Sequence, residues 1–477
     1  MPPLLALLDA ALLALGFVLL HKMSNKRTAP LPPGPRKLPL FGNLLDMPRE
    51  REWLTFAEWG SKWGDMVSVS VLGRQIIVLN SAKTAVEMLD RKSANYSERP
   101  VLELMGEIVG WKHMLVLLPS GEHFRAQRKL FRQALGSTSS VAQFYPLLER
   151  ETHKFLKCVR AQSHLLESLI HKTAGAIVLR ITYGYEIQED QDPFLALAHE
   201  TTEDFSIGSS PGGFLVNILP VLRYIPKWLP GGGYKKTGAI WANTMNEMVN
   251  RPYEWVKEQL MLGTAELSVV SRILDSEPNP TPTREHDIKW LSSSMYAGGA
   301  DTTVSSIRAF FLAMVLYPDA MRKAQEEMDA VIGPERLPKY SDRDNLPYTN
   351  ALIMEVMRWH AVAPLGAPHC VKEDDVHNGY FIPKGAMVMA NVWNMLHDPK
   401  VYPVPFNFKP ERFLGPHPEP DPYDVCFGFG RRPLVEHGKT IMPEHEQLAG
   451  TVSHPKSFKC SIEPRSLRAE SLINSDL

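Results

Sequence analysis

The sequence predicts a mainly α-helical fold with smaller β-sheets (α+β), and three observations carry that expectation. Helical periodicity dominates most of the chain from Ser81 onward. Before it, Met66 to Val71 and Arg74 to Asn80 are apolar or alternating runs separated by Leu72-Gly73, which reads as a strand pair with a tight turn. From Val371 to Val392 the pattern becomes strand-like again, with Asn378-Gly379 and Pro383-Lys384-Gly385 as turns.

The chain has 477 residues, 44% of them apolar, enough for one large domain or two or three ordinary ones. No internal repeat or low-complexity tract divides it, so one large domain is the simplest organisation. The 39 prolines gather in loops of the last third, as in a loop-rich domain. A formal net charge of -1 gives no electrostatic ground for a nucleic-acid partner. Four isolated cysteines, Cys158, Cys370, Cys426 and Cys460, argue against a disulfide framework or a cysteine zinc site. They suit a reducing compartment such as the cytosol.

At the N-terminus, Leu4 to Leu20 is apolar except for Asp9, and Lys22, Lys26 and Arg27 follow. A cleaved signal peptide wants positive charge before the apolar run, and none precedes this one. Residues 1–21 therefore read as a membrane anchor, against the alternatives of a cleaved signal or a buried core helix. Asp9 costs roughly 2.5–3.5 kcal/mol at mid-membrane, and less nearer the lumenal end. The basic cluster after the run places the rest of the chain in the cytosol. Residues 22–40, with Pro30-Leu31-Pro32-Pro33-Gly34-Pro35, form a basic, proline-rich hinge, and 41–477 the domain. Facing the cytosol, the Asn95-Tyr96-Ser97 sequon stays unmodified.

Helices are expected over Asp287 to Tyr317, Asp319 to Val331 and Tyr348 to His360. Pro220 to Gly233 is expected to be a loop. Its apolar residues Leu222, Tyr224, Ile225, Trp228 and Leu229 either pack in the core or dip into a membrane surface or roof a pocket.

The long helix holds Ala297-Gly298-Gly299-Ala300-Asp301-Thr302-Thr303 at its middle. Two glycines there cost about 1 kcal/mol each relative to alanine. They serve either a packing notch or a local widening, in which Asp301 and Thr302 bind water and pass protons. Glu355 and Arg358 lie three apart and share a helix face. Exposed, the pair is worth little; buried among Leu352, Ile353, Val356, Met357 and Trp359 it needs a further partner, for which Arg412 is the candidate.

In this order these motifs resemble the cytochrome P450 superfamily of haem-thiolate monooxygenases, from the proline hinge to Arg432. Gly298-Gly299-Ala300-Asp301-Thr302 is similar to its oxygen-activating helix motif, Glu355 and Arg358 to its Glu-x-x-Arg motif, and Pro410-Glu411-Arg412-Phe413 to its Pro-Glu-Arg-Phe motif. The resemblance implies that Glu355, Arg358 and Arg412 form a structural triad behind haem b and that Asp301 and Thr302 are catalytic. It implies haem contacts from Arg128, which with Phe124 meets a Trp-x-x-x-Arg motif, and from His369, Phe427 and Arg432. The bland alternative for Arg128 is a solvated helix residue. Segments from Asp398-Pro399 to Phe413 resemble basidiomycete enzymes most. A small apolar substrate in fungal secondary metabolism, a membrane-bound NADPH-dependent reductase as partner, and an endoplasmic reticulum location with the domain facing the cytosol are implied likewise.

The family's haem loop reads Phe-x-x-Gly-x-Arg-x-Cys-x-Gly, and here Phe427-Gly428-Phe429-Gly430-Arg431-Arg432-Pro433 is followed by Leu434-Val435-Glu436. Leu434 stands at the cysteine position and offers iron no lone pair. No long helix follows, so the expected fold is the family's without the helix after the haem loop, incomplete after Arg432. Ser453-His454-Pro455-Lys456 to Pro464-Arg465 resembles the family's terminal strands, so the departure has the form of an internal deletion. Cys426, expected on a strand just before the glycine turn, reads as a buried thiol rather than a ligand. Two functions follow: a haem monooxygenase whose written sequence has lost its ligand loop, or a non-catalytic membrane protein that binds no haem.

Overall fold

The computed structural model describes residues 29–188, 192–209, 214–429, 451–458 and 460–475. The anchor and part of the hinge, and Arg432 and Leu434, lie outside the described residues. The longer helices are α1 (Glu52–Trp63), α2 (Glu122–Leu135), α3 (Tyr145–Ala161), α4 (Leu166–Tyr183), α5 (Pro193–Ser209), α6 (Tyr234–Leu262), α7 (Val269–Ser276), α8 (Pro282–Leu316), α9 (Pro318–Val331), α10 (Pro347–Trp359) and α11 (Leu467–Asn474). Strands are few and short: β1 (Met66–Val71), β2 (Arg74–Leu79), β3 (His369–Cys370), β4 (Asp375–His377), β5 (Tyr380–Ile382) and β6 (Met387–Ala390). The expected mainly α fold with small sheets is what forms.

Four strands pair in the order β1-β2-β6-β3. β1 and β2 are an antiparallel hairpin, Met66 opposite Leu79, and Leu72 and Gly73 both take positive φ at its turn. β2 then runs parallel to β6, Ile76 beside Met387, so one sheet joins segments far apart in the chain, with α2 to α10 between them in sequence. β4 and β5 close over Asn378-Gly379, both at positive φ as a type I′ turn requires. The proline segment is not a free spacer where it is described. The Pro33 carbonyl accepts from Ser68 N and the Pro30 carbonyl from Phe381 N, docking the segment on both sheets.

α8 is the central helix and packs most extensively along α4, with further contacts to α2, α6 and α10. It begins five residues earlier than expected because Thr281 caps it, its hydroxyl accepting from Arg284 N, and Pro282 suits the first helical position. Among the described residues it is the helix long and apolar enough to cross a membrane, yet Ile288, Leu291, Tyr296, Val304, Ala309 and Ala313 bury it in the core. The glycine pair does not widen it: the α-helix continues through Ala297–Thr303.

The loop after Pro220 forms as expected, opening with one tight turn at Pro220–Tyr224. Leu222 packs against the core, but Tyr224 is 72% and Trp228 80% exposed, so core packing does not account for them. Among the described residues, Ser453 to Phe458 and Cys460 to Arg465 join neither sheet, against the expectation of terminal strands. They run as extended segments across α8 and lead to α11.

Candidate active site

Three elements converge on the buried acid of α10. Arg358 donates from Nε to Glu355 Oε2 at 2.8 Å and from Nη2 to Glu355 Oε1 at 2.9 Å, the fork geometry that an i,i+3 spacing on one helix allows. Arg412, from the Pro410–Phe413 turn, brings Nε within 2.9 Å of Glu355 Oε2, a close charge contact rather than an aligned hydrogen bond. Lys409 N also donates to Glu355 Oε1. The surplus positive charge is met outside the pair: Arg358 Nη1 donates to the Leu396 carbonyl and Arg412 Nη1 pairs with Glu419 at 2.6 Å. Glu355 and Arg358 have no exposed surface, so the buried alternative holds. Held by these bonds and charge contacts, the cluster fixes α10 to the loop beyond it.

On α8 the two glycines do different things. A Cβ at Gly299 would stand 3.1 Å from Val178 Cγ2, so this glycine is the notch that lets α4 approach. A Cβ at Gly298 would meet nothing within 4 Å among the described residues, so that side of the helix is open to them. Thr302 donates its hydroxyl to the Gly298 carbonyl at 2.7 Å. Asp301 is held by His454, whose Nε2 lies 3.2 Å from Oδ1. Burial by itself would raise the Asp301 carboxyl, but the His454 hydrogen bond and the fields of His454, His171 and His199 outweigh it and hold it below its ordinary range.

His454 went unnoticed in the sequence, where its segment read as strand. What seats it is a set of contacts to α8 one turn on. Ser453 N donates to the Val362 carbonyl, the buried Ser305 hydroxyl bonds the Ser453 carbonyl and His360 Nε2, and Arg308 donates to the Pro455 carbonyl. A serine-histidine pair more than a hundred residues from the helix carries no periodic signal that could have shown this.

Arg128 lies half-buried on α2 and has no charge partner among the described residues. Burial, with Arg132 beside it, lowers its pKa. Half-buried and without a charge partner among the described residues, this guanidinium could accept an anion. His369, on β3, is buried and gives its Nδ1 proton to the Tyr96 carbonyl at 2.7 Å. Phe427 stacks on Tyr423 and precedes Gly428, whose φ of 88 makes the turn. Cys426 ends a helical turn, Tyr423–Cys426, rather than lying on a strand. Burial raises its thiol pKa, and the negative end of a helical turn gives no opposing help. A cleft of about 480 Å³ elsewhere, lined by Ser81, Glu87, Arg91, Asp398 and Asp424, contains none of these residues.

The periphery of this site therefore fits a haem: an unpaired cation for a propionate, an open helix face at Gly298, and a rigid triad. The iron ligand does not fit, since Leu434 at the expected position has no donor atom and Cys426 sits before the glycine turn with its thiol pKa raised by burial. The fold and site define the class as a helix-rich protein with a long acid-bearing core helix and a buried Glu-Arg-Arg cluster. The cytochrome P450 family profile matches residues 32–433, and the chain belongs to that family. It is 46% identical to cytochrome P450 monooxygenase 208 of Postia placenta, over 97% of this chain and 96% of that protein. It is 42% identical to cytochrome P450 monooxygenase claR of Ampulloclitocybe clavipes, over 96% and 91% respectively. With cytochrome P450 monooxygenase ppsD of Aspergillus oryzae it shares 36% identity, over 99% and 96%.

Proposed function

We propose that this chain carries the framework of a fungal haem-dependent monooxygenase that inserts one oxygen atom from O2 into a small apolar substrate, as part of secondary metabolism. The observation that carries the reading is the near-complete overlap with fungal relatives named as monooxygenases. Haem b, when bound, supplies the activation of O2. Arg128 and His369 would hold its propionates, Phe427 and Arg432 would shape the loop beneath it, and the triad would keep that loop in place. Asp301 and Thr302 would hold and move a proton on the open face of α8. Electrons would come from a membrane-bound NADPH-dependent reductase, which fits residues 1–21 as an anchor, 22–40 as a hinge, 41–477 as the domain, and an endoplasmic reticulum location facing the cytosol.

The departure at Leu434 supports an internal deletion in the written sequence. The relatives align over 493, 493 and 509 positions, more than the 477 residues present, so each contains residues that this chain lacks. The family match stops at Pro433, one residue before Leu434. A cysteine loop and a following helix inserted there would complete the enzyme. The second reading, a haem-free membrane protein, rests on Leu434 and on the lack of a long helical pattern after Arg432 in the sequence.

The test is to express the chain as written beside a version with the cysteine loop and helix of the Postia placenta relative inserted after Pro433. The inserted version is expected to hold one haem with a thiolate-type carbon monoxide spectrum, and the written chain none. An inserted version that folds but takes up no haem would overturn the monooxygenase reading. A thiolate-type spectrum from the written chain would sink the haem-free one.

A further inference from the structure

We propose that His123, His286 and Asp287 form a binding site for a divalent transition-metal ion of the zinc type, joining α2 to α8. One ligand atom from each residue lies within 4.8 Å of the others. His123 Nδ1 is 2.7 Å, and His286 Nδ1 3.8 Å, from Asp287 Oδ1. Tetrahedral zinc with bonds of about 2.0–2.1 Å sets its ligand atoms roughly 3.3 Å apart. The two distances bracket that spacing, so small side-chain adjustments close the site. Two imidazoles and a carboxylate are donors suited to zinc, copper or nickel, and three protein ligands leave a fourth position for water.

The simpler account is a His123–Asp287 ion pair, but it needs only one imidazole. The second, His286, has its Nδ1 buried with no hydrogen-bond partner among the described residues, which costs about 1–3 kcal/mol unless something occupies it. Packing fixes the group as well. His113 stands edge-on to His286 at 5.1 Å and lies 5.0 Å from the ring of buried Trp290. Both helices belong to the site already described: α2 carries Arg128, and α8 carries Asp301 about 22 Å further on at 1.5 Å per residue. A metal here clamps their near ends together.

The experiment is equilibrium dialysis of the full chain, in detergent, against zinc alone, with metal analysis and a thermal denaturation scan. One zinc per chain and a raised melting temperature are expected. His286→Asn and His123→Asn should each weaken binding at least tenfold and abolish the thermal shift. His199→Asn, at the separate His171–His199 contact, should change neither. His123 is largely exposed, so its variant keeps the test decisive if His286→Asn fails to fold. Absence of saturable zinc, binding unchanged in both site variants, or loss in His199→Asn instead would each overturn the proposal.

Discussion

His454 Nε2 stands 3.2 Å from Asp301 Oδ1, so the acid at the middle of the core helix is engaged by a histidine from the far C-terminal segment. Because the carboxyl is held below its ordinary range, the folded protein binds fewer protons than the unfolded chain near pH 4. The stabilisation is present above the unfolded value of about 3.9 and is lost as the pH falls through the lower folded value. His454→Ala should cost about 0.5–1 kcal/mol near neutrality, discounted for a pair that is partly exposed. Urea denaturation should show that gap closing in acid; a gap of equal size at about pH 6 and pH 3 would contradict the ion pair.

Glu355 contacts two buried guanidinium groups at once, and Glu419 shares the charge of Arg412. Glu355→Gln should destabilise by about 3–5 kcal/mol, because Arg358 stays buried without its anion and Arg412 keeps only Glu419. Replacing Glu355 and Arg358 together by leucine should cost clearly less than the sum of the single changes. Guanidinium denaturation of the four proteins measures the coupling, and simple additivity would mean the pair is not a unit.

The two adjacent glycines of α8 should respond oppositely to alanine. Gly298→Ala enters open space and should stabilise by up to about 1 kcal/mol through helix propensity. Gly299→Ala presses on Val178, and that strain should cancel or reverse the same gain. Thermal scans that shift equally for both would refute the notch.

Arg128→Ala should leave the stability of the chain as written within about 0.5 kcal/mol, since no ion pair is lost. In the version with the cysteine loop inserted, the same change should weaken haem retention about tenfold, measured by transfer to apomyoglobin. Equal haem loss with and without Arg128 would remove it from the site.

Cys426 and Cys158 should differ in reactivity. Partial burial raises the pKa of the Cys426 thiol, whereas Cys158 is exposed. Iodoacetamide with peptide mass mapping should label Cys158 in the native protein and Cys426 only after unfolding. Early labelling of Cys426 would mean its helical turn opens readily.

Much of the fold was legible because its signals are local. The end of α8 at Tyr317-Pro318, the Asn378-Gly379 turn and the β1–β2 hairpin each depend on residues within a few positions of one another. Only the start of α8 was placed late, although Thr281-Pro282 held the capping signal. The triad was legible in part: the i,i+3 spacing puts Glu355 and Arg358 on one face, and Arg412 entered through a motif.

The amino-acid sequence by itself determined the helix-rich class, the family, and the absence of a ligating side chain at Leu434, since these rest on residue identity and short-range order. Tertiary structure decided which glycine is a notch and which faces open space. It decided that Ser453 to Pro455 runs along α8 instead of joining a sheet, that Cys426 ends a helical turn, and that His123 meets Asp287 across two helices. Those outcomes depend on contacts between segments far apart in the chain, where packing and burial outweigh local preference.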